Sequence, residues 1–445
     1  MANRTSAPSD GDPSAAAAQA RLTQEQLDRV IERHTMFQTG KLGGARAALA
    51  NFNLSKLDFA GHDLSGADFT AADLQGADLR GASLEGATLF CADLRRAKLE
   101  NANLTKADLR GAVLRGADLT NANLFGADLR DGAIVDRQVS KDWELRSVES
   151  NPADMESASF ARANLNQAKL SGAHAVHTDF TDATMRGAKL VRANFRGANL
   201  TRVNLEGADL SGTDLRNANL SGAVITGATM TLAETAGADM QGVLTGKPVG
   251  KTVDDLDRPL EELIAAHVAF VDSGGQKGQL LDLGGFDLRG TPSLVGFRLT
   301  GLRAIAAMLY GMNLAKAQLQ AARLDQADLR TANLENADLR GVTLAGAKLD
   351  GANLSGANLT PLVFAPGRSK PANLDGATLR HAKLHETKLE GASLKGADLS
   401  YADMHGALFR GADLTDVTLL GAKLTKSILE AASLQGAKGL PTGKA

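Results

Sequence analysis

The sequence predicts an all-β solenoid, a chain stacked on itself coil after coil, and three observations carry that expectation. The first is a five-letter word. From Asp63 to Arg130 the chain reads DLSGA DFTAA DLQGA DLRGA SLEGA and onward, with a large apolar residue at Leu64, Phe69, Leu74 and every fifth position to Leu129. Ala stands two residues before each of them, except at His62. The second is the period itself. Helical steps of roughly 100° would scatter these side chains over all sides, and a flat strand would turn half of them to water. They share one interior only if the chain bends about once per repeat. The third is the bend inside the word. In extended geometry positions i and i−2 share a face, so Leu74 and Ala72 point inward while the Asp or Asn at i−1 and the residue at i+1 point outward. Gly at i+2 tolerates the corner.

The A-D/N-L-x-x word resembles the pentapeptide-repeat proteins. That resemblance implies a right-handed quadrilateral β-helix with four repeats per coil. Small Ala beside large Leu suits so narrow a tube, packed to crystal-like density.

The totals agree. Aromatics make up only 4% of 445 residues, too few for an ordinary globular core of this size, whereas a solenoid grows without thickening its core. Net charge is −2, so no large field of either sign steers a charged polymer. The single cysteine, Cys91, gives no internal disulfide and no sign of an oxidising compartment. No apolar run reaches membrane-spanning length, and the N-terminus lacks a signal-peptide core. The expectation is a cytoplasmic protein with no membrane contact.

In chain order, residues 1–21 read as a disordered tail. Residues 22–50 form a helical cap, with Thr23 as candidate N-cap and Leu27, Val30, Ile31, His34 and Phe37 as its apolar stripe. The first β-helix spans 51–244 and runs unbroken to Ile134. A repeat-free loop at 135–153 follows, holding Trp143, the only tryptophan. Beyond it the central residues shift by one, to Met155, Phe160 and Leu165. Residues 245–279 read as a linker and a second helical cap, because LEELIAAHVAF at 260–270 aligns without gaps on LDRVIERHTMF at 27–37. The second β-helix, 280–445, is irregular at TPLVFAPGRSKPA, where Pro361, Pro366 and Pro371 disfavour a ladder. The protein reads as an internal duplication, each module opened by an amphipathic helix.

On the second outer wall, a spacing of 20 predicts a charge ladder of Arg330, Asp350, Lys370, Glu390, Arg410 and Glu430. Asn313, Asn333, Asn353 and Asn373 form a second, amide ladder. If ten residues around 361–371 loop out instead, the later coils rotate by two sides.

Candidate chemistry is sparse. His34 and His267 match across the duplication but lie on apolar stripes, where a core histidine bonded to a carbonyl is the ordinary explanation. His174 with His177, and His381 with His385 and His405, have ligand-like spacing without a completing carboxylate or thiolate set. No metal or cofactor is expected. GKPVGKT at 246–252 is one residue short of a phosphate loop and lacks the strand–loop–helix context. No nucleophile constellation is present, so the chain reads as non-catalytic.

Candidate contact residues are Phe90 and Phe125, which break the polar rule at i+1, and Trp143. The basic run Arg186, Arg192, Arg196 and Arg202 wraps the tube rather than lining one face. It lacks an aromatic platform, which disfavours nucleic acid. Leu420 and Ile428 place apolar surface near a C-terminal edge that no helix covers, favouring a homodimer there. The reading is a scaffold presenting flat faces to a protein partner of unknown identity. The alternative, borrowed from quinolone-resistance relatives that mimic DNA and bind gyrase, needs a strongly negative rod. Residues 1–250 carry 27 basic and 30 acidic side chains and residues 251–445 carry 22 and 21, or −3 and +1.

Overall fold

The computed structural model describes residues 20–132, 152–291, 293–424 and 433–440. The chain divides into two units, 1–246 and 247–445, and each is a stack of coils. In both, residue i−1 of one repeat bridges in parallel to the residue 20 further on, as in Asp63 to Ser83 to Asn103 to Asn123 and Asn313 to Asn333 to Asn353. A coil therefore contains four repeats. Each wall is only one bridged residue wide, with a turn at every corner.

In a repeat with Asp or Asn at i−1, such as that of Leu104, every amide has a partner, and this explains the word. Around Leu104, the Leu104 N–H donates to Asn123 O of the next coil (2.7 Å) and the Asn103 N–H to Ala82 O of the previous one (2.9 Å). At the corner Lys106 N–H donates to Phe125 O (2.9 Å), and Ala107 N–H donates back to Leu104 O (3.0 Å). The remaining N–H, at i+1, is taken by the side chain at i−1: Thr105 N–H donates to Asn103 Oδ1 (3.2 Å), and Arg330 N–H to Asp328 Oδ1 (3.2 Å). Asp or Asn recurs at i−1 because that carboxylate or amide oxygen completes the backbone account. The inward Leu and Ala are buried throughout, with Leu104 and Leu334 fully so. Phe160, Phe180 and Phe195 stack inside the first tube at 5.2 Å between successive rings.

Two helices precede the coils. Helix α1, Gln24–Gln38, starts at a Thr23–Gln26 capping box. Its Leu27 and Ile31 join the buried cluster that includes Leu49 and Leu54. Phe37, expected on that stripe, is 50% exposed because it sits on the helix's last turn and stacks only on His34. Helix α2, Leu260–Asp272, buries Leu263, Ile264 and His267 in the second cluster. The 245–279 stretch is more than a linker. Strand β1, Lys251–Thr252, pairs in parallel with β2, Phe286–Asp287, and Val249 N–H donates to Asp287 Oδ2 (2.8 Å). The residues that imitate a phosphate loop thus lie against the first coil of the second unit.

The register breaks twice. Val113 bridges to Asp154, Asp118 to Ser159 and Asp128 to Lys169, an advance of 41 instead of 20. The place after Leu129 in the tube is therefore filled by Met155, and the extra 21 residues, one more than a multiple of five, produce the frame shift; Ile134, to which the unbroken run is expected to extend, lies outside the described residues. Most of the proposed 135–153 loop, with Trp143, lies outside the described residues, as does the 1–19 part of the tail. In the second unit Thr343 bridges to Asn373 and Asn358 to Lys388, an advance of 30. Ten residues do leave the wall, so the continuous ladders are corrected. Asp350 is followed by Arg380, not Lys370, with Arg380 Nε 3.5 Å from Asp350 Oδ1. Glu390 and Arg410 remain on one wall, since Lys388 bridges to Leu408, but one that Arg330 does not share. The amide ladder holds for three members, Asn333 Nδ2 donating to Asn313 Oδ1 (3.2 Å) and Asn353 Nδ2 to Asn333 Oδ1 (3.3 Å), while Asn373 stacks on Thr343.

Candidate interaction surface

The ten expelled residues form a hairpin. Strand β3, Leu362–Ala365, pairs antiparallel with β4, Arg368–Lys370, with a register shift between Val363 and Ala365. Pro366 and Gly367 make the turn, Gly367 at φ 68°. Prolines at both feet and at the tip start and stop the excursion without disturbing the coils above and below. At its base a Cβ on Gly341 would sit 2.8 Å from Leu362 Cβ and 3.1 Å from Lys370 O, and one on Gly391 would sit 3.1 Å from Pro361 Cγ. Glycine at these two corners lets the hairpin lie close against the wall. Val363 and Phe364 are 69% and 60% exposed, with the Arg368 guanidinium 5.4 Å over the Phe364 ring.

The residues singled out from sequence are dispersed. Phe90 is half-buried instead of exposed, because the Arg110 guanidinium covers its ring at 5.3 Å. Phe125 is exposed, and on a different wall: Phe90 belongs to the Thr88–Asp108 ladder and Phe125 to the Asn123–Asn164 ladder. Arg186 pairs with Glu206 (3.1 Å) and Arg202 with Asp182 (2.6 Å), one coil away in each case. Arg192 occupies a corner at φ 56°, and Arg196 follows Asn194 on another wall, its N–H donating to Asn194 Oδ1. The four arginines thus surround the tube as separate charges, two of them in ion pairs. Leu420 is 53% exposed near the last described coil. Ile428 and Trp143 lie outside the described residues.

Two clusters join residues of different coils, of which the first escaped sequence reasoning and the second is expected from sequence as the His385–His405 stack but without its carboxylate. Asp154, Glu156 and His174 bring one ligand atom each to within 4.8 Å of one another. Arg115 already answers the two carboxylates, its Nε 2.5 Å from Asp154 Oδ2 and 3.7 Å from Glu156 Oε2. In the second unit His385 and His405 stand edge to face, 6.5 Å between centroids. Asp403 accepts from His385 Nε2 (3.2 Å) and Lys423 Nζ (3.0 Å). Burial pushes the Asp403 carboxyl upward, but Lys423 and His385 outweigh it and hold the group down to about 2. A cation is supplied by the chain itself at both clusters.

The two helix histidines are built alike. His34 and His267 are fully buried, and each Nδ1 accepts a coil amide at 3.1 Å, from Ala47 and Leu281 respectively. The expected carbonyl is present at each ring, from Ser65 and Thr300, and the coil amide on Nδ1 is the contact that the sequence did not foretell. The amides two residues earlier close a second contact, Ala45 N–H to Arg33 O (3.0 Å) and Gln279 N–H to Ala266 O (3.1 Å). Helix α1 adds Gln24, whose side chain exchanges two 2.9 Å bonds with the Asp58 backbone, and Gln38, which donates to Ser65 O (2.6 Å).

The model of pentapeptide repeats matches residues 44–89, 92–131, 158–197 and 198–234 in the first unit and 298–360, 372–411 and 402–438 in the second, more than half the chain. The chain is a pentapeptide-repeat protein. The four-sided β-helix implied by membership agrees with the four-repeat coil seen in both units. Solved structures similar to this pentapeptide-repeat protein include HetL, involved in heterocyst differentiation regulation in the cyanobacterium Nostoc sp. strain PCC 7120. It is 20% identical over 93% of each chain, with a TM-score of 0.14. QnrB1, a plasmid-mediated fluoroquinolone resistance protein, is 24% identical over 42% of this chain and 85% of its own, TM-score 0.22. Rfr23 from the cyanobacterium Cyanothece 51142 is 26% identical over 31% of this chain and 90% of its own, TM-score 0.15. No curated protein matches. Among the described residues no helix is long and apolar enough to cross a membrane.

Proposed function

We propose that this pentapeptide-repeat protein is a non-catalytic scaffold that holds a protein partner against its outer surface. The observation that carries this reading is the β3–β4 hairpin. Two adjacent large apolar side chains, Val363 and Phe364, stand exposed on a paired, Pro-bounded element anchored at Gly341 and Gly391, and the coil register resumes beyond it unchanged. Exposed apolar residues scattered singly need no explanation, but a built protrusion that displays them does. Phe125 supplies a smaller apolar point on the first module. Inward residues only fill the tubes, and the paired Asp and Arg side chains leave little net field for a polyanion or for mimicry of one.

Affinity capture from native lysate, comparing the wild type with Val363→Asp/Phe364→Asp at equal loading, tests this. The double variant keeps the wild-type circular dichroism and loses the captured protein. The same protein retained by both would remove the hairpin from the contact.

Two structural roles complete the proposal. Helices α1 and α2 act as caps, because their Gln24, Gln38, His34 and His267 side chains take up backbone groups of the first coils that no preceding coil is there to satisfy. The C-terminal coils of the second module, with Leu408 and Leu420 exposed at 43% and 53%, form a homodimer contact, since apolar side chains exposed on a bridged wall favour pairing with another copy. In light scattering at tens of micromolar the protein has the mass of a dimer, and Leu420→Asp shifts it toward the monomer. A monomer throughout would leave the dimer without support.

A further inference from the structure

We infer that His34 and His267 make the junction between helix and first coil acid-labile in both modules, so that protonation releases α1 and α2 from the edges they cover. The inference rests on the reading of these helices as caps.

The chemistry is fixed by which atom accepts. A neutral imidazole has one N–H and one acceptor nitrogen. Here the acceptor is Nδ1, committed to the Ala47 amide in one module and the Leu281 amide in the other, each at 3.1 Å. The single ring proton therefore sits on Nε2. A second proton has only Nδ1 to go to, and there it would meet an amide N–H head-on. No small rotation relieves this, because both rings are fully buried. The imidazolium also carries its charge into the apolar cluster of its own module, which holds Leu27 and Ile31 in the first and Leu263 and Ile264 in the second. The groups at Nε2 differ. In His34 it lies 3.4 Å from Gln38 Nε2 and near the Ser65 carbonyl. In His267 it is near the Thr300 carbonyl but makes no hydrogen bond of normal geometry.

Burial, the largest influence, lowers the proton affinity of both rings. Two charged groups face His34, Asp63 favouring the proton and Arg46 opposing it. For His267 burial is set only against the Thr300 carbonyl, with no charged group among the described residues contributing. The attached rings therefore bind fewer protons than rings released to water, whose ordinary value is 6.5. Attachment is at full strength above that value and weakens as pH falls below it. The released state then gains on the attached one as pH falls, by at most tenfold per pH unit per junction, a ceiling of about 30-fold at pH 5. The sequence carries the device twice, in the matching L-[D/E]-x-[V/L]-I-x-x-H words.

Hydrogen exchange of the full chain at pH 7.5 and pH 5.0, corrected for the intrinsic rate, reads this out. Peptides over 24–47 and 260–281 lose protection at the lower pH, by up to the ceiling of about 30-fold that a ring neutral throughout would give, while coils at 92–129 and 319–359 do not. In His34→Asn/His267→Asn the amide oxygen still accepts but takes up no proton, so the difference between the two pH values disappears. Equal protection of the wild type at both pH values overturns the inference, as does a pH difference that survives in the double variant. If the variant does not fold, the wild type still decides: buried imidazoles that titrate by NMR at 6.5 or above refute the latch. Missing protection already at pH 7.5 would instead overturn the caps and the latch together.

Discussion

Leu334→Lys unfolds the coils around it, while Arg340→Ala leaves them standing. Leu334 is fully buried in the second tube, where removal of a leucine alone costs about 2–5 kcal/mol. Lysine adds an ammonium with no partner inside a tube that Leu and Ala fill, so the expected loss exceeds about 4 kcal/mol. Arg340 binds Asp338 through Nη2 at 2.6 Å, but the pair is 39% and 25% exposed, and exposed pairs contribute about 0.2–1 kcal/mol. Asp338 Oδ1 also accepts the residue-340 amide, a bond that alanine at 340 preserves. Because each coil touches only its neighbours, the damage is local before it is global. Urea unfolding followed by circular dichroism, with hydrogen exchange to locate the lesion, gives the readout. A Leu334→Lys protein with a midpoint close to that of the wild type would mean the central leucines do not hold the tube.

What the sequence revealed follows from where the information lies. Leu64 to Leu129 specify an interior and a bend, and the duplication around His34 and His267 specifies two openings. These are local repeats, so they are visible in the text. Register across an interruption is not local. Nothing near Pro361 says whether its segment counts as two sides of a coil or leaves the wall, and the ladder through Lys370 failed for that reason. Nothing between Leu129 and Met155 says where the chain re-enters the tube, because Ile134 is also an apolar residue at the expected spacing. Side-chain clusters suffer likewise: Arg115 meets Asp154 only because the coil between them carries the extra 21 residues. Phe90 looked exposed because the i+1 rule knows nothing of Arg110, one coil below. The Asx side chains are the opposite case. Their regular spacing was visible, but its cause, an orphan amide at i+1 of each repeat, needed the backbone.

The duplication also makes matching demands on two glycines, and the second large effect is expected there. Gly44→Ala and Gly278→Ala each detach a helix from its first coil. Gly44 lies against the last turn of α1, where an added Cβ would come within 2.6 Å of the Met36 carbonyl carbon and overlap the backbone of Phe37. Gly278 lies against α2, where the Cβ would overlap the Ala266 carbonyl oxygen and stand 2.8 Å from Phe270 N. All of these atoms are main chain in a hydrogen-bonded helix, so nothing flexible can move aside. The chain has to retreat, and the bonds from Ala47 to His34 and from Leu281 to His267 stretch with it. Most corner glycines behave differently. Gly66, at φ 70° with nothing near its would-be Cβ, sits at a corner type that Lys56, Ala71 and Asn101 also occupy at φ between 53° and 62°. Gly66→Ala therefore carries only the left-handed cost of about 1–2 kcal/mol. The Gly44 and Gly278 variants lose about 3 kcal/mol at the junction, and their uncovered first coils associate as concentration rises. Exchange of the 24–47 and 260–281 peptides at pH 7.5 separates the cases, fast in these two variants and near wild type in Gly66→Ala. If all three variants protect those peptides equally, close backbone contact is not what seats the helices.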